Sequence, residues 1–475
     1  MSETSQTAAI IGGGVIGGGW AARFLLAGWN VKLFDPDPDA PRKMGEVLDN
    51  ARRSLPALYD TKLPSEGQLT FVSSIKEAVS DALWIQESVP ERLDIKHAIF
   101  KDILAHCAPN ALIGSSTSGF KPSELNSESD DKAAIFVAHP FNPVYLIPVV
   151  ELVGDTEICK RVSDVLTQIL MKPIIVQKEI DAHVADRLLE AVWREALWLV
   201  KDDIATTKEI DDIIRFGFGL RWAQMGLFET YRIAGGEEGM AHFIEQFGPC
   251  LKWPWTKLMD VPELTDELVE KIANQSDAQS GEHSIRELEQ IRDDNLVSMM
   301  RALKTQNWGA GALLNSADKT LKSFSNIDAP EPLISVHRVV PVDWTDYNGH
   351  MNEGRYGQVF SDAADHIIAL IGADEDYIKF GLSYFTAETN TKFLQECHAG
   401  DEIYVHTSVL LAEGKKLKLL HEMMAANGET LATCTQFLLH VDLNTRKSCA
   451  PEDHILENLA KLKAAHSSID ESGKA

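Results

Sequence analysis

The chain has 475 residues, 44% apolar and 24% charged, which is too long for one hydrophobic core and too apolar for the disordered or fibrous classes. Its 45 basic against 71 acidic side chains leave a net charge of −26, which argues against nucleic acid or an anionic membrane surface as a general partner. Six cysteines without a C-x-x-C pair suggest neither a zinc site nor a disulfide framework, so no metal is expected; no signal-like N-terminus or membrane-length apolar run is present, and the expected location is the cytoplasm.

From Ala8 the chain reads AAIIGGGVIGGGWAARFLLAGWNVKLFDPDPD, an apolar strand, a glycine turn, a helix start and a second strand ending in Asp35. That order is a βαβ unit in which Gly12 makes the tight turn, Gly14 lets the backbone approach a pyrophosphate and Gly17 lets the helix pack closely on the strand. Asp35 is placed to hold a ribose 2′-hydroxyl. A carboxylate there repels a 2′-phosphate, so NAD is the expected cofactor. Further apolar runs follow at Leu69–Ser74, Leu83–Glu91, Ala111–Gly119 and Ala134–Pro143, each closing on polar, Gly or Pro residues. They predict a mostly parallel sheet whose carboxyl ends bring Glu87, Ser118 and His139 to one crevice, with Glu87 at the cofactor.

Oxidising a secondary alcohol needs a base for the hydroxyl proton, and a histidine oriented by a carboxylate serves near neutral pH. His139 and Glu151 are the candidates, in the run HPFNPVYLIPVVELVG. Together with Ser118 in SSTSG and with the helical segment ADRLLEAVWREAL, this sequence resembles the L-3-hydroxyacyl-CoA dehydrogenase family over residues 8 to 315. The resemblance implies that Ser118 binds the substrate oxygen, His139 is the general acid/base and Glu151 orients it. It also implies that Ala185–Leu197 opens an all-helical second domain. Asp186 stands where that family carries an asparagine at the substrate oxygen, and the preceding DAHV replaces its usual Pro-Gly-Phe.

The stretch FGFGLRWAQMGLFETYRIAGGEEGMAHFIEQFGPCLKWPWT, Phe216 to Thr256, is similar to the branch of the family that handles small free hydroxy acids, and most similar to its carnitine-oxidising members. For a quaternary ammonium substrate, aromatic faces and carboxylates are the only available recognition groups. Tyr231 and Trp253 are then the candidate aromatic walls, with Arg221 a partner for the substrate carboxylate. The competing expectation is that these aromatics form helix-packing core.

After a polar stretch ending in Pro330 and Pro332 the pattern changes. ISVHRVVPVDW alternates as a strand, Asn352 is placed to cap a helix with an apolar stripe from Val359 to Ile371, and four strand-like segments follow before a final amphipathic helix. DWTDYNGHMN, with Asp346 ahead of Gly349, His350 and Asn352, resembles the signature of hot-dog acyl-CoA thioesterases over residues 333 to 450. Asp346 would then activate water or attack the thioester carbonyl. A plain Asx turn before a capped helix is the competing reading.

The expected architecture is therefore multidomain: an α/β Rossmann NAD-binding domain over 1–180, an all-α helical substrate and dimerisation domain over 181–322, and an α+β hot-dog thioesterase domain over 333–475. The resemblances imply oxidation of L-carnitine and hydrolysis of betainyl-CoA by a homodimer, with no nucleic acid or membrane partner. The alternatives are another short hydroxy acid, gulonate-like, or a non-catalytic role of the crystallin kind.

Overall fold

The computed structural model describes residues 6–129, 134–234, 239–247, 256, 263, 265–280, 282–321 and 332–466. Among them, no helix is long and apolar enough to cross a membrane. The chain forms two compact units, one of residues Met1–Arg52 and Pro64–Leu313, the other of Arg53–Leu63 and Leu314–Ala475.

The first unit is built on an eight-stranded sheet: β1 (Thr7–Ile11), β2 (Asn30–Phe34), β3 (Leu69–Phe71), β4 (Trp84–Glu87), β5 (Leu112–Ser115), β6 (Ile135–Pro140), β7 (Val149–Val153) and β8 (Lys172–Ile175). Their order is β3-β2-β1-β4-β5-β6-β7-β8. Every pairing is parallel except that of β6 with β7. Helices cover a parallel sheet on both faces, so its strands read as short apolar runs without alternation. Ala9, Ile11, Ile85, Ile113, Ile135 and Val137 accordingly share one buried layer. The helix Val15–Leu26 follows β1 directly, and the long helix Ala185–Lys201 opens a run of helices to Leu313.

In the second unit β9 (Leu333–Val339), β10 (Leu382–Phe393), β11 (Glu402–Glu413), β12 (Lys416–Ala425) and β13 (Thr430–Asp442) form an antiparallel sheet in the order β10-β13-β12-β11-β9. Asn352 caps the helix Glu353–Leu370, its Oδ1 accepting from the Gly354 amide at 2.9 Å. Val359, Phe360, Ala363 and Ile367 on its apolar stripe are wholly buried. Val405, Met423 and Ala432 of the sheet share the core cluster with the first three. This helix on an antiparallel sheet is the hot-dog arrangement. The polar stretch that marks the sequence boundary begins as a helix, Ala310–Leu321, whose Asp318 accepts the Asp60 amide at 2.7 Å. Arg338 on β9 is buried, pairs with Asp60 at 2.8 Å and stacks its guanidinium 4.0 Å from the Trp344 ring.

Burial drives the pKa of His421 on β12 down to about 4, and its Nδ1 sits 2.8 Å from the Thr407 hydroxyl. In the unfolded chain the same imidazole protonates near 6.5, so below that pH the unfolded state binds the extra proton and folding is opposed. Stability from this group is complete above about pH 6.5 and falls as pH drops towards 4, by roughly 3 kcal/mol. Denaturant unfolding of the second unit between pH 7 and pH 4 should show that loss, and His421→Gln should flatten the slope.

Candidate active sites

The glycine turn is shaped by contacts that admit no side chain. Gly12 adopts φ +100°, and a Cβ on it would lie 2.6 Å from the Ser88 carbonyl oxygen; one on Gly17 would lie 1.8 Å from the Gly12 oxygen. Gly14, by contrast, has no neighbouring atom within 4 Å of that position and caps the helix Val15–Leu26 without a side-chain bond, leaving its amide end open. Asp35 follows β2 and accepts from the Gly13 amide at 2.5 Å and the Asp37 amide at 2.7 Å. A carboxylate has about four acceptor sites, so capacity for a ribose hydroxyl remains.

Gly13, Gly14 and Val15 line a cavity of about 380 Å³ with Asn50, Asn142, Tyr145 and Arg292. An open helix N-terminus suits a pyrophosphate, and the residues present fit NAD. Arg42 and Lys43 also line this cavity, but Arg42 pairs with Asp39 and Glu46, and Lys43 with Asp37. Their charge is thus already countered, in keeping with NAD rather than its 2′-phosphate. Sequence reasoning missed Tyr145, whose hydroxyl donates to Asp293 at 2.7 Å and takes a bond from Arg292 at 3.2 Å. No local motif signals this pairing, because its partners lie about 150 residues away, with separations of 148 and 147.

His139 and Glu151 are directly opposite in the antiparallel pairing of β6 with β7. The imidazole Nδ1 lies 2.9 Å from Glu151 Oε2, and both side chains are buried. The other oxygen, Oε1, accepts from the Val184 and Ala185 amides at 3.1 and 3.0 Å, where the long helix begins. Burial alone raises the carboxyl pKa, but the bond from His139 and those two amides outweigh it and hold Glu151 below the ordinary glutamate value. An ionised Glu151 accepts only, so Nδ1 carries the proton and Nε2 is the nitrogen left for a substrate hydroxyl.

Asp186 reaches the same imidazole from the first turn of the long helix, with Oδ2 3.8 Å from Nε2. His183, missed in the sequence although DAHV marks a local departure, is fully buried with its ring 5.6 Å from that of His139. Its Nε2 faces the Thr117 carbonyl at 3.3 Å and its Nδ1 has no partner among the described residues. Burial first, and then the neighbouring His139, push its pKa down. Ser118 follows Thr117, whose carbonyl faces His183, on the loop after β5.

Glu87 is placed differently from the expectation. It is wholly buried, its oxygens taken by Ser115 at 2.5 Å, Lys96 at 2.8 Å and the Val89 amide at 2.8 Å. This geometry makes it an internal brace of the strand ends rather than a cofactor contact. Arg221 is exposed on the helix Gly219–Ala234, and Tyr231 stacks on Phe243 with ring centroids 4.7 Å apart. Neither touches the His139 group among the described contacts, and the Tyr231 stack matches the packing alternative on one ring face. Trp253 lies outside the described residues.

In the second unit Asp346 forms the Asx turn, its Oδ1 accepting from the Asn348 amide at 2.8 Å, while the backbone closes from Asp346 to His350 at 2.9 Å. Gly349 provides φ +80° for that turn. Oδ2 makes no hydrogen bond among the described residues, so the turn leaves one carboxylate oxygen open. Tyr356 on the helix Glu353–Leu370 is buried with its hydroxyl 3.4 Å from Cys397 Sγ, and burial, then that thiol, push its pKa up.

Residues 7–180 match the NAD binding domain of 3-hydroxyacyl-CoA dehydrogenase, 183–278 its C-terminal domain, and 340–459 the thioesterase-like superfamily. A protein of Ruegeria pomeroyi named L-carnitine dehydrogenase/betainyl-CoA thioesterase is 60% identical over 98% of this chain and 97% of its own. One of the same name from Agrobacterium fabrum is 55% identical over 96% and 94%. An L-carnitine dehydrogenase of Mesorhizobium japonicum is 58% identical over 67% of this chain and 90% of its own. Among solved structures, an NAD+-dependent dismutase, 5-formyl-3-hydroxy-2-methylpyridine 4-carboxylic acid 5-dehydrogenase, matches 63% of this chain and 99% of its own at 25% identity and a TM-score of 0.54.

Gly17→Ala forces a methyl group into the Gly12 carbonyl. Overpacking of this kind costs about 1–3 kcal/mol and here displaces the phosphate turn. Calorimetric titration should show weakened NAD binding, with the pH-dependent unfolding of the second unit unchanged.

Proposed function

We propose that this chain, which belongs to the family of the fused L-carnitine dehydrogenase/betainyl-CoA thioesterases, oxidises L-carnitine to 3-dehydrocarnitine with NAD and hydrolyses betainyl-CoA to glycine betaine and CoA at a second site. The observation that carries the first activity is the buried His139–Glu151 pair at 2.9 Å. His139 Nε2 accepts the hydroxyl proton, and the ionised Glu151 fixes the tautomer and stabilises the imidazolium. Bound NAD supplies the hydride acceptor. Ser118, on the loop after β5, holds the substrate oxygen. Tyr231 and Arg221, with Trp253, remain the proposed contacts for the ammonium and carboxylate ends. A non-catalytic protein has no use for a buried imidazole locked in one tautomer.

For the thioester, Asp346 activates water or attacks the carbonyl, with its Oδ2 directed to the reaction while Oδ1 holds the turn. The two constellations belong to different compact units, so they are separable by substitution. His139→Ala should lower L-carnitine-dependent NAD reduction about 10²–10⁴-fold, read by absorbance, and spare betainyl-CoA hydrolysis. Asp346→Ala should do the reverse. Loss of both activities from either change in a folded protein would contradict two sites.

The protein is proposed to work as a homodimer in the cytoplasm. Leu188, Leu189 and Trp193 on the long helix are each more than half exposed, at 56%, 55% and 55%, an apolar face that a partner would cover. Sedimentation at micromolar concentration should give twice the chain mass, and Trp193→Glu should shift it to monomer.

A further inference from the structure

We propose that Asp186 is the residue that selects a cationic substrate: its carboxylate is the counter-charge for the trimethylammonium group, held beside the nitrogen that takes the hydroxyl proton. The inference rests on the carnitine reading above and adds the group that discriminates. Glu151 already takes Nδ1 of His139 and the amides of Val184 and Ala185, so Asp186 serves neither the tautomer nor those amides at the helix start. Its Oδ2 stands 3.8 Å from Nε2, too far for a hydrogen bond and near enough for Coulombic interaction. Among the described residues no lysine or arginine pairs with it, and 27% of its side chain is open.

The result is a second carboxylate near the reacting nitrogen with no lysine or arginine partner among the described residues. A site of this kind favours a ligand that brings its own positive charge. In L-carnitine the quaternary nitrogen is separated from the carbinol carbon by one methylene. The carboxylate carbon is also one methylene from the carbinol, so when the hydroxyl meets Nε2 either end can lie beside Asp186, and its negative charge selects the ammonium. A trimethylammonium cannot donate a hydrogen bond, so a carboxylate with open surface suits it better than an amide does. Asparagine is isosteric; it removes the charge and replaces one acceptor oxygen with an NH2 donor, a change that acts alike on both compounds of the test.

The test compares kcat/KM for L-carnitine with that for racemic 3-hydroxy-5,5-dimethylhexanoate, in which carbon replaces the quaternary nitrogen, at saturating NAD. The wild type should prefer the cation. Asp186→Asn should lose roughly 10- to 100-fold on L-carnitine, mainly through KM, and hold or gain on the neutral isostere. Asp186→Glu should retain the preference. Equal losses on both compounds would overturn the proposal and assign Asp186 to general positioning or to the charge of the oxidised nicotinamide. An unchanged preference in Asp186→Asn would overturn it as well. A wild type that oxidises the isostere but not L-carnitine would instead defeat the carnitine reading itself.

Discussion

The antiparallel joining of β6 to β7 is the constraint on which the dehydrogenase site depends. In an otherwise parallel sheet it is the one pairing that sets residues squarely opposite each other, and the opposed pair is His139 and Glu151. A slip of β7 by one residue would turn Glu151 to the other face of the sheet, away from His139. The same carboxylate then receives the first amides of the helix Ala185–Lys201, so a single buried ion fixes the imidazole and the entry of the helical segment together. Few substitutions could disturb one of these without the other.

Around that ion the site is arranged by charge. Glu151 is held ionised by donors that point at it, burial lowers the pKa of His183, and Asp186 has no lysine or arginine partner among the described residues. Three titratable groups near one imidazole thus have three different environments, and each environment comes from a different element of the chain. The nucleotide turn works by exclusion instead, since Gly12 and Gly17 are defined by the absence of atoms that their neighbours would meet.

What could be read from the sequence was what short stretches decide. The glycine turn, the strand ends, the Asn352 cap and the apolar stripe beneath it are local, because each depends on residues within a few positions and on periods of two or 3.6. His139 and Glu151 were legible through motif spacing, although their register was not. Glu87 was misplaced because its ion pair with Lys96 and its bond from Ser115 arise from packing between elements. His183 and Tyr145 were missed for the same reason, and Tyr231 found a ring partner on the next helix, which a period along one helix does not reveal.

The second compact unit is discontinuous in the chain, and that has a consequence for its birth. Arg53–Leu63 leaves the ribosome early, yet Asp60 meets Asp318 across 258 residues, and Arg338 later still. Domains synthesised in order fold as they emerge, but a unit sewn from two distant pieces closes only after the far piece exists. Until then Leu55, Leu58 and Tyr59, all buried in the finished fold, wait with apolar surface unclaimed. A nascent chain of this kind has its period of greatest exposure to chaperones and to aggregation set by the time taken to translate everything in between.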